Sequence, residues 1–424
     1  MTISKNNTLY MILILFSLSS FIYGFVIRED SAGGGKFDFL NTWTNQKIFN
    51  ENTTIASIKN TKTSEIKLSI NSHFPSSYII NKFLNPFSKN KENFLISIFI
   101  LNIFLPIIFF LILKKNYKKQ NLYLLACFSS IIYLSPYYRT SSYWAGMENY
   151  GLLMMVISYY FYSTYLKEVN NKKKYILIFS IFSCLCVYFD QKLALIPLIY
   201  SYLFLKHENN KINISLYIII NFILSLPVFS LIYYWGSLIS PHDTISRSFG
   251  TLYLEQIGYF FSITSFYLIP YIFIFHKKIF QFVMSNKKYF MILFFLFSVY
   301  LILIFLFPTN YFQWEHLGKG WAHKLSRLIF EDEFSQKIFL YFIFFISIFS
   351  FFAVAQKRIL LIFFVIFFIP ISLLILPFFQ EYLDPLVFIF LSLFFYNNDE
   401  LNNRLVKSHY LFSLTFLIFA NLYY

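Results

Sequence analysis

Long apolar runs separated by short polar segments repeat along the whole chain. Because about 20 apolar residues in a helix cross the hydrocarbon core of a bilayer, each run predicts one transmembrane helix. We therefore expect an all-α integral membrane protein with about 11–13 transmembrane helices in a single polytopic membrane domain, residues 1–424. The predicted spans are residues 9–27, 94–113, 122–138, 150–166, 175–189, 193–205, 214–235, 257–275, 289–307, 338–355, 359–379, 382–396 and 410–424.

Lysine and arginine cluster in every second connection between these spans. The clusters lie around residues 114–119, 167–174, 206–211, 277–288 and 357–358. Basic residues mark cytoplasmic loops, so we expect these connections and the amino terminus in the cytoplasm. The opposite connections are longer and richer in Trp, His, Asp and Glu. The first outer loop, residues 28–92, is the longest, and its residues 37–50 and 78–87 predict interfacial amphipathic helices.

Composition narrows the class of protein further. With 58% hydrophobic and only 13% charged residues, the chain has too little polar surface for a soluble domain. The formal net charge of +15 comes from short clusters between apolar runs, not from one basic face, and this excludes nucleic acid as the expected partner. The bilayer itself is the partner that the pattern predicts. The cysteines, Cys127, Cys184 and Cys186, lie in apolar runs and predict neither a disulfide nor a metal site.

The first candidate for chemistry lies where the first span leaves the membrane. Glu29 and Asp30 are adjacent there, a run of glycines follows at residues 33–35, and Asp38 comes soon after. Two neighbouring carboxylates at this depth are costly unless they are hydrated, paired or used in chemistry. Glycines allow a sharp turn or the close approach of a ligand. The alternative is a charged cap on the helix followed by a flexible turn.

Other outer connections carry weaker candidates. Arg139 and Glu148 flank an aromatic segment; a guanidinium matches phosphate oxygens, and Glu148 could orient a sugar hydroxyl or a cation. The alternative is an interfacial aromatic belt with an incidental ion pair. The remaining candidates are polar residues at later turns and before prolines, namely His73, Lys319, His323 and Asp384.

In this order, the segments resemble the GT-C membrane glycosyltransferases. These include bacterial protein mannosyltransferases, the aminoarabinose transferase of lipid A and the dolichyl-phosphate-glucose glucosyltransferases. Their plan is an N-terminal span, a first outer loop with an essential acid near the membrane, interfacial helices and often a His-Pro-Pro-like turn. Glu29 and Asp30 match the acid, and residues 73–75 match the turn. The chain departs from the family in reversing the usual Asp-Glu order and in placing Phe74 where a proline is usual.

The resemblance implies an inverting transfer from a polyprenyl-phosphate-linked sugar to a lipid-linked or protein acceptor. It implies Asp30 as the base, with Glu29 and Asp38 as alternates, and Arg139 as the phosphate ligand. Contacts with substrate are expected from Glu148, His73, Lys319, His323 and Asp384. No cofactor is required by the resemblance, which leaves a divalent cation open. The expected location is a bacterial inner membrane, with the active site on the periplasmic face.

Two other classes of function compete with this interpretation. An O-antigen-type polymerase or ligase also acts on lipid-linked sugars, but its large outer loop usually comes late in the chain and carries several arginines. A flippase or other transporter of lipid-linked oligosaccharides would place polar residues in mid-membrane, often in two related halves. The long first loop and the nearly charge-free spans favour the glycosyltransferase.

Overall fold

The computed structural model describes residues 5–63, 74–168, 170–241, 253–307, 320–354, 362, 367–369, 371 and 379–423. Within these ranges the chain forms 17 α-helices and no strand, so the predicted all-α class is confirmed. Two short 3₁₀ segments, Ile131–Leu134 and Gln191–Leu193, extend or join helices in the first half of the chain.

The helices of the first half begin with α1 (Lys5–Val26), and those of the second half begin with α12 (Leu254–Ser285). The others before α12 are α2 (Gly35–Glu51), α3 (Thr54–Thr63), α4 (Ser76–Leu84), α5 (Lys91–Asn116), α6 (Leu122–Ser130), α7 (Pro136–Tyr143), α8 (Glu148–Tyr165), α9 (Lys172–Phe189), α10 (Ile196–His207) and α11 (Lys211–Trp235). After α12 come α13 (Lys287–Leu306), α14 (Trp321–Ile329), α15 (Glu333–Val354), α16 (Leu386–Phe390) and α17 (Asn403–Tyr423).

Seven of the described helices are long and apolar enough to cross a bilayer: α1, α5, α11, α12, α13, α15 and α17. The chain is therefore an integral membrane protein. Other predicted spans coincide with shorter helices, such as α10 with 12 residues and the apolar stretch Leu122–Leu134. Most of the predicted span at residues 359–379 lies outside the described residues.

Asparagine side chains fix the starts of three of these long or apolar helices. Asn90, Asn121 and Asn210 each accept hydrogen bonds from backbone N–H groups in the first turn of α5, α6 and α11. The first turn of a helix leaves such donors without partners, and a capping oxygen satisfies them. Each cap lies in a polar connection, so it sets the residue at which the chain enters its apolar run.

The described helices form two compact units. The first contains Met1–Arg247 and Ser413–Tyr424, and the second contains Ser248–Phe412. The single-domain organisation stays a prediction. Both helices predicted in the first outer loop are present, as α2 and α4, while α3 was not predicted.

In the first unit, the outer-loop helices share a core with the transmembrane helices. Phe49 of α2 stacks on Tyr78 of α4 with ring centroids 5.3 Å apart, and Tyr150 of α8 stacks on Phe189 of α9 at 5.1 Å. These four residues belong to one buried cluster with Phe94, near the start of α5. Buried aromatic pairs of this kind hold elements in fixed register. The first outer loop is thus anchored to the helix bundle through α2 and α4.

The lysine-rich end of the first unit is tied together by a buried carboxylate. Glu208 accepts hydrogen bonds from Tyr165, the Asn210 backbone N–H and Asn213, and it lies 3.5 Å from the Lys172 ammonium. Burial alone raises the pKa of Glu208, but these donors and the Lys172 charge outweigh it and lower the pKa to about 2. Glu208 therefore joins α8, α9 and α11 at the end of the bundle opposite Glu29.

Candidate functional site

The candidate site begins at the end of α1, which closes in a Schellman motif. The Glu29 N–H donates to the Gly24 carbonyl at 2.9 Å, and the Arg28 N–H donates to the Phe25 carbonyl at 3.2 Å. This motif places its C′ residue in the left-handed conformation, and Arg28 accordingly has φ of +56°. The turn ends the membrane-spanning helix and starts the loop that carries Glu29 and Asp30.

The glycine run makes the turn into α2. Gly33 and Gly34 have φ of +78° and +85°, a region that glycine adopts without steric cost. The Asp30 carbonyl accepts from the Gly33 N–H at 3.1 Å. Asp30 Oδ1 accepts from the Gly35 N–H, the first residue of α2, at 3.2 Å. The glycines thus bend the chain around Asp30 and start the next helix beside it.

The same loop is fastened to the α7–α8 region. The Ala32 N–H donates to Thr140 Oγ1 at 2.9 Å, in a buried position. Trp144 Nε1 donates to the Glu29 carbonyl at 3.0 Å. These bonds join residues more than a hundred positions apart in the sequence, so the loop is held through both its N–H and its carbonyl groups.

Glu29 and Arg139 form a buried, bidentate ion pair. Arg139 Nε donates to Glu29 Oε1 at 2.9 Å, and Arg139 Nη2 donates to Glu29 Oε2. The side chains of Glu29 and Arg139 are only 7% and 3% exposed. Asn421 of α17 donates to Glu29 Oε1 as well, at 3.2 Å. Both oxygens of Glu29 are therefore occupied by protein donors.

The other N–H groups of Arg139 also donate hydrogen bonds to acceptors inside the protein. Nη1 donates to Ser20 Oγ at 3.2 Å and to the Tyr133 carbonyl at 3.1 Å, and Nη2 donates to the Ser20 carbonyl at 3.0 Å. A guanidinium has five N–H groups, and each has an acceptor here. Arg139 therefore clamps α1 to α7, and its role as a phosphate ligand stays a prediction that this saturation disfavours.

Gly24 gives the ion pair its space. A β-carbon at this position would lie 2.6 Å from the Tyr143 hydroxyl and would collide with the carboxylate of Glu29 and the guanidinium of Arg139. Real β-carbons do not make such contacts, so only glycine allows α1 to pass this close to the pair. Gly24 lies inside the apolar run of the first span, where no motif marks it.

The Asp30 carboxylate accepts fewer hydrogen bonds from the described residues than the Glu29 carboxylate does. Its side chain is half-buried, and within the described residues Asp30 Oδ2 accepts no hydrogen bond. Asp38 lies in the first turn of α2 and is exposed. Of the three carboxylates in this segment, Asp30 is the one held by the loop through one oxygen while its other oxygen accepts no hydrogen bond from the described residues.

Glu148, the first residue of α8, lies on the same connection as Arg139. A β-carbon on Gly146 would be 2.8 Å from both Glu148 Oε2 and Ser141 Oγ, so the carboxylate packs across this glycine beside α7. The roles that the resemblance implies for Asp30, Arg139 and Glu148 at one substrate stay a prediction. What the structure does bring together directly is Glu29 with Arg139, while Asp30 lies next along the chain.

The second unit has a polar group of its own. The Gln380 side chain accepts from the Trp321 N–H at 2.9 Å and donates to the Tyr267 hydroxyl at 3.2 Å, which joins the start of α14 to α12. His323 lies on α14 and is half-buried, and Asp384 is buried just beyond Gln380. His73 and Lys319, two further predicted substrate contacts, lie outside the described residues.

Lys324 is the most perturbed amine of this group. Burial lowers the pKa of Lys324 to about 8, and the negative charge of Glu381 opposes that shift. An amine with this pKa loses its proton near pH 8, below the range of an ordinary lysine. Its neighbour His323 was the predicted substrate contact, because nothing in the local sequence pattern distinguishes the burial of one residue of α14 from the next.

A buried pair that the sequence analysis missed lies between α9 and α10. Lys192 Nζ is 3.4 Å from Asp190 Oδ2, and both side chains are 5% exposed. Asp190 Oδ1 also accepts from the Lys192 N–H at 3.0 Å. The available signal was the charged segment Asp190-Gln191-Lys192 directly between two apolar runs. Its connection faces the same end of the first unit as Glu29, next to Gly151 of α8.

No group of three or more His, Cys, Asp or Glu side chains suited to a metal ion occurs among the residues that the structure describes. Comparisons with protein-family models, with curated proteins and with solved structures return no match for this chain.

Proposed function

We propose that the protein is a membrane glycosyltransferase that moves a sugar from a polyprenyl-phosphate donor to an acceptor hydroxyl, with inversion at the anomeric carbon. The observation that carries this proposal is the difference between the hydrogen-bond partners of two adjacent carboxylates. Glu29 is fixed by Arg139, and Asp30 beside it keeps an oxygen without a protein partner in the described residues. A positioned carboxylate with a free oxygen has the form of a general base.

The chemistry needs one protein carboxylate. The acceptor oxygen attacks the anomeric carbon while Asp30 takes the proton of the acceptor hydroxyl. The bond from the anomeric carbon to the phosphate oxygen breaks, and its electron pair leaves with the polyprenyl phosphate. Because the leaving group is already an anionic phosphate, no second carboxylate is needed to protonate it, in contrast to glycoside hydrolases. A cation beside the phosphate stabilises its developing charge.

The location of the loop supports a lipid-linked donor. Glu29 and Asp30 follow the last turn of a membrane-spanning helix, at the end of the first unit opposite the lysine-rich connections. Basic connections are expected in the cytoplasm, so we propose that the site lies on the non-cytoplasmic side, in a bacterial inner membrane. A polyprenyl chain would keep the donor phosphate at the depth where the loop begins.

The test is sugar transfer by purified protein in nanodiscs, supplied with a panel of polyprenyl-phosphate sugars and acceptor lipids or proteins. We expect Asp30→Asn to lower the rate of transfer by about 10²–10⁴-fold, the usual contribution of a general base. The matched control is Glu51→Gln, which removes an exposed carboxylate at the far end of α2 and should stay within about threefold of the wild type. Transfer by Asp30→Asn at the wild-type rate, with an unchanged thermal unfolding curve, would exclude Asp30 as the base.

A further inference from the structure

We propose that Arg28 binds the phosphate of the lipid-linked donor. This inference rests on the proposed function and adds to it the residue that recognises the leaving group. Arg28 directly precedes Glu29 and Asp30, at the end of α1. It was not among the candidates drawn from the sequence, where it looks like an ordinary charged residue at the edge of a span.

The first support is a buried donor without an acceptor. Among the residues that the structure describes, buried Arg28 Nη1 has no hydrogen-bond partner, while Nη2 donates to Glu92 Oε2 at 2.6 Å. Buried polar groups nearly always have partners, and an unsatisfied charged donor is costly. A second anion at Nη1 would complete this guanidinium. Two donors on one planar group match two phosphate oxygens, which a lysine could not do in the same way.

The second support is the backbone of Arg28. It occupies the C′ position of the Schellman motif with φ of +56°, where glycine is the usual residue. An arginine there carries a conformational cost that a glycine would not. Strain of this kind is found at ligand-binding positions, where a side chain is kept for its contacts with the ligand although its backbone conformation is unfavourable.

The surroundings indicate a phosphate that carries an apolar tail. The Arg28 guanidinium lies over the Phe25 ring, 4.8 Å from its centroid. The last turn of α1 also exposes Val26 and Ile27, which are 70% and 53% accessible. A guanidinium above an aromatic ring and beside exposed aliphatic residues fits a lipid phosphate better than free phosphate. Arg139 cannot supply the same contact without giving up its bonds to Glu29.

The test measures binding of farnesyl phosphate, a short polyprenyl phosphate, to the full-length protein in nanodiscs of neutral lipid. The variants are Arg28→Gln, Arg28→Gly and Glu92→Gln, and the matched control is Lys47→Ala, which removes one exposed positive charge from α2. Both Arg28 variants should weaken binding by about 10- to 100-fold, the loss expected for hydrogen bonds to a charged group. Glu92→Gln and Lys47→Ala should stay within about threefold of the wild type.

Arg28→Gly separates binding from folding. Glycine relieves the left-handed backbone, and the ion pair that it removes is exposed, so the unfolding temperature should stay within about 2 °C of the wild type or rise. If Arg28 acted only through its ion pair with Glu92, then Glu92→Gln would weaken binding as much as Arg28→Gln. That result, or wild-type binding by both Arg28 variants, overturns the proposal.

Three control ligands identify the source of the phosphate. Inorganic phosphate and phosphatidylglycerol are added as competitors, and farnesol replaces farnesyl phosphate in a parallel titration. Farnesyl phosphate alone should bind through Arg28. Competition by inorganic phosphate or phosphatidylglycerol at the same concentration would overturn the assignment to a polyprenyl phosphate. Absence of any farnesyl phosphate binding by the wild type would refute the proposed donor class, whereas binding that ignores Arg28 refutes this inference alone.

Discussion

Replacing Glu29 by glutamine should destabilise the first unit, because it leaves the buried guanidinium of Arg139 without a counter-charge. The side chains of Glu29 and Arg139 are 7% and 3% exposed, so water cannot take the place of the carboxylate. The new amide could accept one of the two hydrogen bonds that Arg139 now donates to Glu29, but it carries no charge. The effect should be larger than that of any exposed ion pair in the same unit.

The magnitude follows from the burial. Removing one partner of a buried ion pair costs about 3–5 kcal/mol. For domains of about 150–250 residues, each kcal/mol shifts the unfolding temperature by about 2–4 °C, so we expect a decrease of about 6–20 °C. Arg139→Met should cost a similar amount, since it leaves the Glu29 carboxylate buried and also frees the Ser20 and Tyr133 carbonyls.

The assay is a double-mutant cycle read by thermal unfolding in detergent. The double variant Glu29→Gln/Arg139→Met removes both charges, so it should lose at least about 2 kcal/mol less than the sum of the single variants. The control is Glu51→Gln, which breaks the exposed pair of Lys47 and Glu51 and should shift the unfolding temperature by less than about 2 °C. Additive losses, or a Glu29→Gln shift as small as that of Glu51→Gln, would refute the clamp.

Two further predictions concern Gly24 and Lys324. Gly24→Ala places a methyl group against the Glu29–Arg139 pair and should cost about 1–3 kcal/mol by thermal unfolding; an unchanged unfolding temperature would show that the space at Gly24 is not needed. The Lys324 amine should react half-maximally with an acylating reagent near pH 8, because burial lowers its pKa to about 8. Between about pH 8 and the ordinary lysine pKa, the folded protein then binds fewer protons than the unfolded chain. The free energy of unfolding should therefore rise with pH in that window. Lys324→Met should flatten this rise. Labelling that follows ordinary surface lysines would contradict this pKa.

The apolar pattern predicted the helices well wherever burial in lipid decides the structure. Runs of apolar residues long enough to span a bilayer have few alternatives to a helix, since every backbone group must be satisfied internally. The apolar pattern did not predict α3, because the sequence of α3 is mostly polar. That helix is held by tertiary contacts instead, for example the bond from Trp235 Nε1 to Thr61 Oγ1 at 2.8 Å. A local pattern carries no information about such a partner.

The candidate site shows the same limit. The position of Glu29 and Asp30 at the end of the first span was readable from the sequence, because charges are conspicuous beside an apolar run. That Glu29 is paired with a buried cation depends on Arg139, 110 positions away. Two adjacent carboxylates look equivalent in a sequence, and only the packing of α7 against α1 distinguishes them. The orphan donor of Arg28 depends in the same way on where Glu92 lies.

Two adjacent carboxylates with different partners allow one of them to anchor the loop while the other keeps an oxygen without a donor among the described residues. In the proposed mechanism the base must stay in place while its partner atoms change, and a loop at the membrane surface has little core of its own to hold it. Glu29 supplies the anchor: both of its oxygens are occupied, so an incoming hydroxyl would have to displace Arg139 or Asn421. Asp30 follows Glu29 directly in the chain, so the ion pair of Glu29 also fixes the backbone of Asp30. Among the described residues, the Asp30 carboxylate then accepts one hydrogen bond, from the Gly35 N–H. Exchanging the two residues, in the variant Glu29→Asp/Asp30→Glu, should therefore lower both the transfer rate and the unfolding temperature, because the shorter side chain no longer reaches the guanidinium.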